Sequence, residues 1–128
     1  AVLEAVTRAK DNELYVLCLD LLENPDQLAR LERAICVAKA RHHQVIVLCP
    51  WPAGVDLPGA RPRAITQSLR MSILVQRLCT HQLHQAFARV KKALGRIGVP
   101  VLCAAQGQAV NWTLHHLRKL RVQERGVR

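Results

Sequence analysis

The sequence predicts an α/β protein in which a parallel sheet of about three strands has helices on both faces. Three short apolar runs predict the strands, at residues 14–19, 45–49 and 99–104. Because these runs lack polar alternation, we expect both faces of the sheet to be covered. Helix-like segments separate the runs, and strands that alternate with helices form parallel sheets. Three strands make a thin three-layer sheet, so the 128 residues are predicted to form less than one whole domain.

Two helices are predicted before the second strand. Residues 1–10 are helix-like, with Val2 and Val6 on one side. After the first strand, Asn24 and Pro25 predict the start of a second helix, because asparagine caps helices well and proline suits the first helical position. The apolar residues that follow are spaced by three or four, which places them on one helix face. They are Leu28, Leu31, Ile35 and Ala38.

A long loop and a third helix are predicted after the second strand. The loop covers residues 50–63 and is rich in proline and glycine, which punctuate structure strongly. Helix is predicted in part over 64–78 and by clear periodicity over 83–97. Gly95 and Gly98 flank the predicted end of this helix, where glycine is favoured.

The chain is predicted to end with a fourth helix and a basic tail. Val110, Leu114 and Leu117 lie on one face of the predicted helix. Residues 121–128 are basic, and we expect them to fray.

Charge is distributed unevenly along the chain. The formal net charge is +10, from 19 lysines and arginines against 9 aspartates and glutamates. Seven of the nine acidic residues lie in residues 1–32, whereas sixteen of the basic residues lie in residues 33–128. Aromatic residues make up only 3%, too few for the stacking platforms of a single-strand nucleic-acid binder. The pattern predicts a two-faced interaction surface.

The five cysteines predict buried free thiols. They form no Cys-x-x-Cys pair, which argues against a zinc ribbon. Their apolar surroundings predict a reducing, cytoplasmic compartment without disulfides. No signal peptide or membrane-spanning run is visible, so we expect no membrane contact from this segment. The cysteines are Cys18, Cys36, Cys49, Cys79 and Cys103.

Sequence signatures of catalysis are lacking, and we predict that the protein is not an enzyme. There is no Gly-x-Ser-x-Gly elbow and no Gly-x-x-x-x-Gly-Lys loop. His81 and His84, with Cys79 nearby, have a spacing that a transition metal could use. Surface histidines on a basic helix are the simpler interpretation of this set.

The order and spacing of several segments resemble a known family. Residues 15–25 form an apolar strand closed by an aspartate, an acidic turn and a helix begun by proline. Residues 43–50 form a strand that starts after a basic helix end and stops at proline. Together with segments 79–83, 96–101 and 114–120, this pattern resembles the C-terminal half of domain-of-unknown-function family 58. Members of that family carry a von Willebrand factor A-like domain.

The resemblance implies a Rossmann-like, von Willebrand factor A-like fold and an adaptor role beside a MoxR-type AAA+ ATPase. It also implies that some members hold Mg²⁺ in a metal-ion-dependent adhesion site. Asp20 lies where the second aspartate of that site would fall, but Leu19 replaces the usual serine. No Asp-x-Ser-x-Ser motif occurs in the chain. We therefore predict no cofactor for this chain, and Mg²⁺ only if upstream sequence supplies the motif. Members often carry upstream membrane segments, which would anchor the parent protein.

Three residues that follow the predicted strands are candidates for a strand-end pocket. Asp20, Trp51 and Gln106 each follow one strand, and ligands of open α/β sheets bind at the carboxyl ends of strands. Asp20 could bind a hard cation such as Mg²⁺, or it could cap a turn. Trp51 could contact a ligand, or it could cover the core edge beneath the loop.

Basic residues of the helices and tail are the other candidate surface. Their density favours an acidic protein surface or a phosphate backbone. No base-reading chemistry accompanies them, so nucleic-acid binding would be non-specific. The candidates are Arg89, Lys91, Lys92, Arg96, Arg118, Lys119 and Arg121.

The leading hypothesis is a non-enzymatic protein-interaction module, with an AAA+ ATPase as the partner that the resemblance implies. The alternative is an α/β domain that binds nucleic acid or another polyanion. A nuclease-like fold with Asp20 as a metal ligand would need several carboxylates. Residues 33–128 contain only Asp56 and Glu124 as acidic residues, which argues against it.

Overall fold

Helices and strands alternate along the chain, as the sequence predicts. The computed structural model describes residues 2–8, 13–22, 25–61 and 70–105, together with Asn111, Leu114, His115, Arg118 and Lys119. The elements are α1 (Val2–Arg8), β1 (Leu14–Cys18), α2 (Pro25–Ala40), β2 (Gln44–Pro50), α3 (Arg70–Arg96) and β3 (Val101–Ala104). The small α/β fold is thereby confirmed.

The three strands form a parallel sheet in the order β1-β2-β3. β2 is the central strand, with Gln44 opposite Leu14 of β1 and Val47 opposite Val101 of β3. From Gln44 to Cys49 its side chains are buried or partly buried on both faces, as its continuous apolar run predicts. β1 differs, because Val16 is 40% exposed. Tyr15 and Leu17 pack against the buried core, whereas Val16 alternates with them and lies on the other face of the strand, so the apolar run of β1 is only partly buried.

The three helices contribute to one apolar cluster on one face of the sheet. Val6 of α1, Ile35 of α2 and Leu94 of α3 belong to this cluster, with Val45 and Val47 of β2. Strand order follows chain order, so both crossovers step in the same direction. Crossovers of one hand then place α2 and α3 on the same face. In the described part of the chain the helices therefore cover one face of the sheet, and the expectation of helices on both faces is not met there. The helix predicted after β3 lies largely outside the described residues, as does the tail 121–128.

The end of α2 is closed by a Schellman motif with a histidine in the left-handed position. The N–H of His43 donates to the carbonyl of Ala38, and the N–H of His42 donates to the carbonyl of Lys39, both at 3.0 Å. His42 has a φ of 60°, which is the conformation that glycine adopts without steric cost.

The end of α3 repeats this motif with glycine in the same position. The N–H of Val99 donates to the carbonyl of Leu94 at 3.0 Å, and the N–H of Gly98 donates to the carbonyl of Gly95 at 3.1 Å. Gly98 has a φ of 70°. The helix stop predicted from Gly98 is therefore confirmed, and the two helix ends form a natural comparison.

Two element boundaries differ from the sequence expectation. α3 is one helix of 27 residues, whereas clear periodicity was visible only from residue 83 onward. In its first half Leu74, Val75 and Leu78 are exposed, so the apolar residues there do not pack against the core. β3 begins at Val101 rather than at residue 99, because Pro100 has no N–H and joins the ladder only through its carbonyl, which accepts from Val47. No helix in the described ranges has both the length and the apolar character needed to cross a membrane.

The cysteines are all free, but the expectation that all five are buried is wrong. Only Cys49 is buried, and Cys103 is intermediate. Cys18, Cys36 and Cys79 are exposed. An apolar run in sequence cannot distinguish the covered face of a strand or helix from its uncovered side.

Truncation of a leucine should affect stability differently in the two halves of α3. Leu94 is 0% exposed and Leu78 is 62% exposed. Leu94→Ala is expected to lower the free energy of unfolding by about 2–5 kcal/mol, because it leaves a cavity. Leu78→Ala, the matched control, should change it by less than about 0.5 kcal/mol. Urea denaturation monitored by circular dichroism measures both, and equal losses would contradict this placement of the core.

Exchange of the residues at the two helix ends should have opposite effects. His42→Gly is expected to raise the free energy of unfolding by about 0.5 kcal/mol, because glycine relieves the left-handed strain but loses more chain entropy. Gly98→Ala should lower it by about 1 kcal/mol or more for the converse reason. The same urea titrations measure these changes, and a loss of stability in His42→Gly would argue against the left-handed conformation.

Candidate functional site

A cleft opens where β1 ends, between the start of α2 and the middle of α3. Its volume is about 520 Å³, which lies within the size range of ligand sites in proteins. The turn after β1 forms one wall, residues of α2 form the second, and residues 82–90 of α3 form the third. The cleft therefore lies at the carboxyl end of β1, where α/β sheets bind ligands.

The floor of the cleft is part of the apolar core. Leu21, Ala86 and Val90 line it and are buried members of the central cluster. Leu28 lines it from α2 and packs against the same cluster. Because these side chains are held by core packing, the floor is preformed.

The rim of the cleft is polar and exposed. Its described residues include one carboxylate, Asp20, one guanidinium, Arg89, and the amides of Gln27, Gln82 and Gln85. The structure thus brings together two of the residues singled out in the sequence, Asp20 and Arg89. The three glutamines gave no sequence signal, because a lone amide belongs to no motif and only the crossing of α3 over the end of β1 assembles them.

Asp20 caps the turn after β1. Its Oδ1 accepts the N–H of Leu22 at 2.9 Å, which is the Asx-turn arrangement. Of the two roles that the sequence left open, the structure shows the turn-capping one.

The described residues around Asp20 do not fit Mg²⁺. The ion prefers several carboxylate, hydroxyl or water oxygens, whereas among the described residues that line the cleft Asp20 is the one carboxylate, and it shares the cleft with the Arg89 guanidinium. Across the described ranges, no group of three or more His, Cys, Asp and Glu side chains could hold a metal ion. We derive no chemistry through a metal from this chain.

Trp51 lies in the core rather than in the cleft. It is 5% exposed, and its indole N–H donates to the carbonyl of Val55 at 3.1 Å. Its ring meets that of Phe87 edge-on, with centroids 6.0 Å apart. Trp51 thus covers the core edge beneath the loop, the second role that its position suggested. Gln106, the third strand-end candidate, lies outside the described residues.

The histidines of α3 are engaged separately. The Nε2 of His84 donates to the carbonyl of Asp56 at 2.7 Å, and its ring packs beside Trp51. The Nε2 of His81 lies 2.8 Å from the side-chain nitrogen of Gln85. His84 therefore holds the loop onto α3, and the two rings serve different neighbours.

The basic candidates that the structure describes are exposed. Arg89, Lys92 and Arg96 follow one another by three and four residues, so they form one line along α3, and Lys91 points away from that line. In the described ranges the one ion pair joins Arg8 and Glu4, so none of these cations is neutralised there. Arg118 and Lys119 are exposed, and Arg121 lies outside the described residues.

An exposed apolar patch on the first half of α3 was missed in the sequence. Leu74 and Val75 are each 57% exposed and Leu78 is 62% exposed. We call these three residues the α3 patch. The spacing of four between Leu74 and Leu78 was a usable signal, but burial could not be judged without knowing where the sheet ends.

A second groove, of about 760 Å³, runs beside the outer edge of β1. Val16 of β1, Leu3 of α1 and Arg33 of α2 are among its lining residues. The groove adjoins the cleft, because Leu19 and Gln27 line both, but Arg33 lines only the groove.

A scan against protein-family models, a search of curated proteins and a search of solved structures each found no match to this chain.

Thiol reactivity should follow the burial of the cysteines. Burial, with smaller contributions from the neighbouring Cys103 and Cys18, raises the pKa of the Cys49 thiol from 9.0 to about 12. Iodoacetamide at pH 8 should therefore modify Cys36 and Cys79 readily and leave Cys49 intact, because the thiolate is the reactive form. Peptide mass mapping measures this, with all five thiols modified in urea as the control.

The same pKa shift predicts a loss of stability at alkaline pH. The unfolded thiol ionises near pH 9 and the folded one near pH 12, so the unfolded state loses its proton first. The contribution of the protonated Cys49 thiol to the free energy of unfolding is complete below pH 9 and declines between pH 9 and pH 12. Labelling of Cys49 in the folded protein as fast as that of Cys36 would contradict its burial.

Proposed function

We propose that this chain is a non-enzymatic protein-interaction module. The observation that carries the proposal is the α3 patch, which holds three large aliphatic side chains in water on one helix. Contiguous exposed apolar surface is typical of protein-binding sites. The proposal assigns binding, and no chemical step, to the chain.

The two halves of α3 support a role for the patch in binding. In the second half, Leu83, Val90 and Leu94 are buried in the core. In the first half, Leu74 and Leu78 have the same helical spacing but remain exposed. Burial of exposed aliphatic surface contributes about 25 cal/mol per Å², so a partner that covers this half would gain stability from surface that the fold leaves uncovered.

The sequence resemblance supplies the partner class. Proteins similar to domain-of-unknown-function family 58 act beside MoxR-type AAA+ ATPases, so we propose such an ATPase as the partner. The finer assignment of the fold as von Willebrand factor A-like, and the placement of the segment in the cytoplasm, belong to the same proposal.

The line of Arg89, Lys92 and Arg96 favours a second candidate function. These cations are exposed, and no carboxylate of the described ranges neutralises them. A phosphate backbone would bind such a line through release of counterions. Polyanion binding is therefore the alternative function of the same helix.

Substitution in the α3 patch should weaken ATPase binding. The chain would be titrated into the MoxR-type ATPase of the same genome, with the affinity measured by calorimetry. Leu78→Asp is expected to weaken binding by about tenfold or more, because it places a charge in an apolar interface. Leu3→Asp, on α1 and also half-exposed, is the matched control and should change affinity by less than about twofold.

The outcome also separates the two functions. Equal affinities of Leu78→Asp and the unaltered chain would show that the α3 patch is not part of the interface. An absence of heat with the unaltered chain would reject the ATPase as the partner. A random duplex that binds at low salt, is lost steeply at moderate salt and tolerates Leu78→Asp would support the polyanion alternative.

A further inference from the structure

We propose that the cleft at the end of β1 binds a short acidic segment of the partner protein, with an aliphatic side chain on the floor and a carboxylate on Arg89. The inference rests on the proposed function and extends it to a second contact with stated chemistry. The cleft and the α3 patch lie on the same helix, so one partner could reach both.

The floor selects an aliphatic side chain. Leu21, Ala86 and Val90 are fixed in the core and present apolar surface to the cleft. Leu22, at the lip, is 70% exposed and offers further apolar surface. A polar side chain placed here would lose its water without gaining a partner, whereas a leucine-sized chain would be buried favourably.

The rim selects a carboxylate at its α3 side. Arg89 is exposed and carries no ion pair within the described ranges. A guanidinium can donate two parallel hydrogen bonds to one carboxylate. Lys92 and Arg96 continue the line for about 10 Å at 1.5 Å per residue, so further acidic residues of the segment would be attracted as well.

The amides of the rim suit a peptide backbone. Gln27 stands on α2 and Gln82 on α3, on opposite walls of the cleft. Each amide can both donate and accept, which matches the alternating N–H and C=O groups of an extended segment. This set favours a peptide over a nucleic acid, whose backbone only accepts at its phosphates.

Asp20 sets the direction of the segment. Its carboxylate is held in place by the N–H of Leu22 and repels a second carboxylate at that end of the cleft. The acidic residue of the bound segment is thereby directed toward Arg89. Arg89 favours the binding of its carboxylate, whereas Asp20 opposes it. Neutralising Arg89 and neutralising Asp20 should therefore change the affinity for the segment in opposite directions.

Peptide binding to charge-neutralised variants tests the proposal. A fluorescein-labelled peptide of eight residues that alternates leucine and glutamate would be titrated with the full chain, with affinity measured by anisotropy. Arg89→Gln is expected to weaken binding by about tenfold. Asp20→Asn should tighten it by about threefold, because asparagine keeps the Asx turn and removes the repulsion.

Matched controls identify the site. Lys91→Gln, on the same helix but away from the line, and Arg33→Gln, in the groove beside β1, should each change affinity by less than about twofold. Two further peptides, with glutamine for glutamate or serine for leucine, should bind at least about tenfold more weakly. Circular dichroism and urea midpoints establish that each variant is folded.

The proposal is overturned if Arg89→Gln and Lys91→Gln weaken binding equally, if Asp20→Asn weakens it, or if the serine peptide binds as well as the leucine peptide. A dominant effect of Arg33→Gln would place the peptide beside β1 and also overturn it. ATPase binding that responds to Leu78→Asp but not to Arg89→Gln would reject the cleft while leaving the proposed function intact.

Discussion

Burial of β2 on both faces is the constraint on which the rest of the structure depends. Ile46, Val47 and Cys49 have no exposed surface, and a strand in this position must pair on both edges to satisfy its backbone groups. β1 and β3 supply those pairs, in parallel. Parallel pairing requires long crossovers, so α2 and α3 have to cross the sheet, and their apolar faces complete the cluster that covers Val45 and Val47.

A mismatch of lengths then creates the surface features. β2 has seven residues and spans about 23 Å, whereas α3 has 27 residues and spans about 40 Å. The helix cannot bury its whole length against so short a sheet. Its second half lies over the strands, while its first half extends past their carboxyl edge with the α3 patch uncovered. The cleft lies where this helix passes the end of β1.

The candidate residues fall into two groups, those at the rim of the cleft and those that hold the loop onto α3. Asp20 and Arg89 share the rim of the cleft, with opposite charges at its two sides. Trp51 and His84 instead join the loop to α3 through a ring contact and a hydrogen bond to the carbonyl of Asp56. The basic line that begins at Arg89 connects the cleft to the solvent face of the helix.

The sequence by itself determined the alternation of elements, the parallel sheet and the glycine stop of α3, because these depend on local periodicity, chain connectivity and backbone conformation. It also identified Asp20 and Arg89 as charged residues of interest. Only the tertiary structure decided which side of each apolar element meets the core, and thus that Cys18 and Cys36 are exposed while Cys49 is buried. It also decided that Asp20 and Arg89, 69 positions apart in the sequence, line one cleft. Long-range packing determines both the exposure of the cysteines and the position of the cleft. No local sequence pattern encodes where a helix extends beyond the sheet on which it packs.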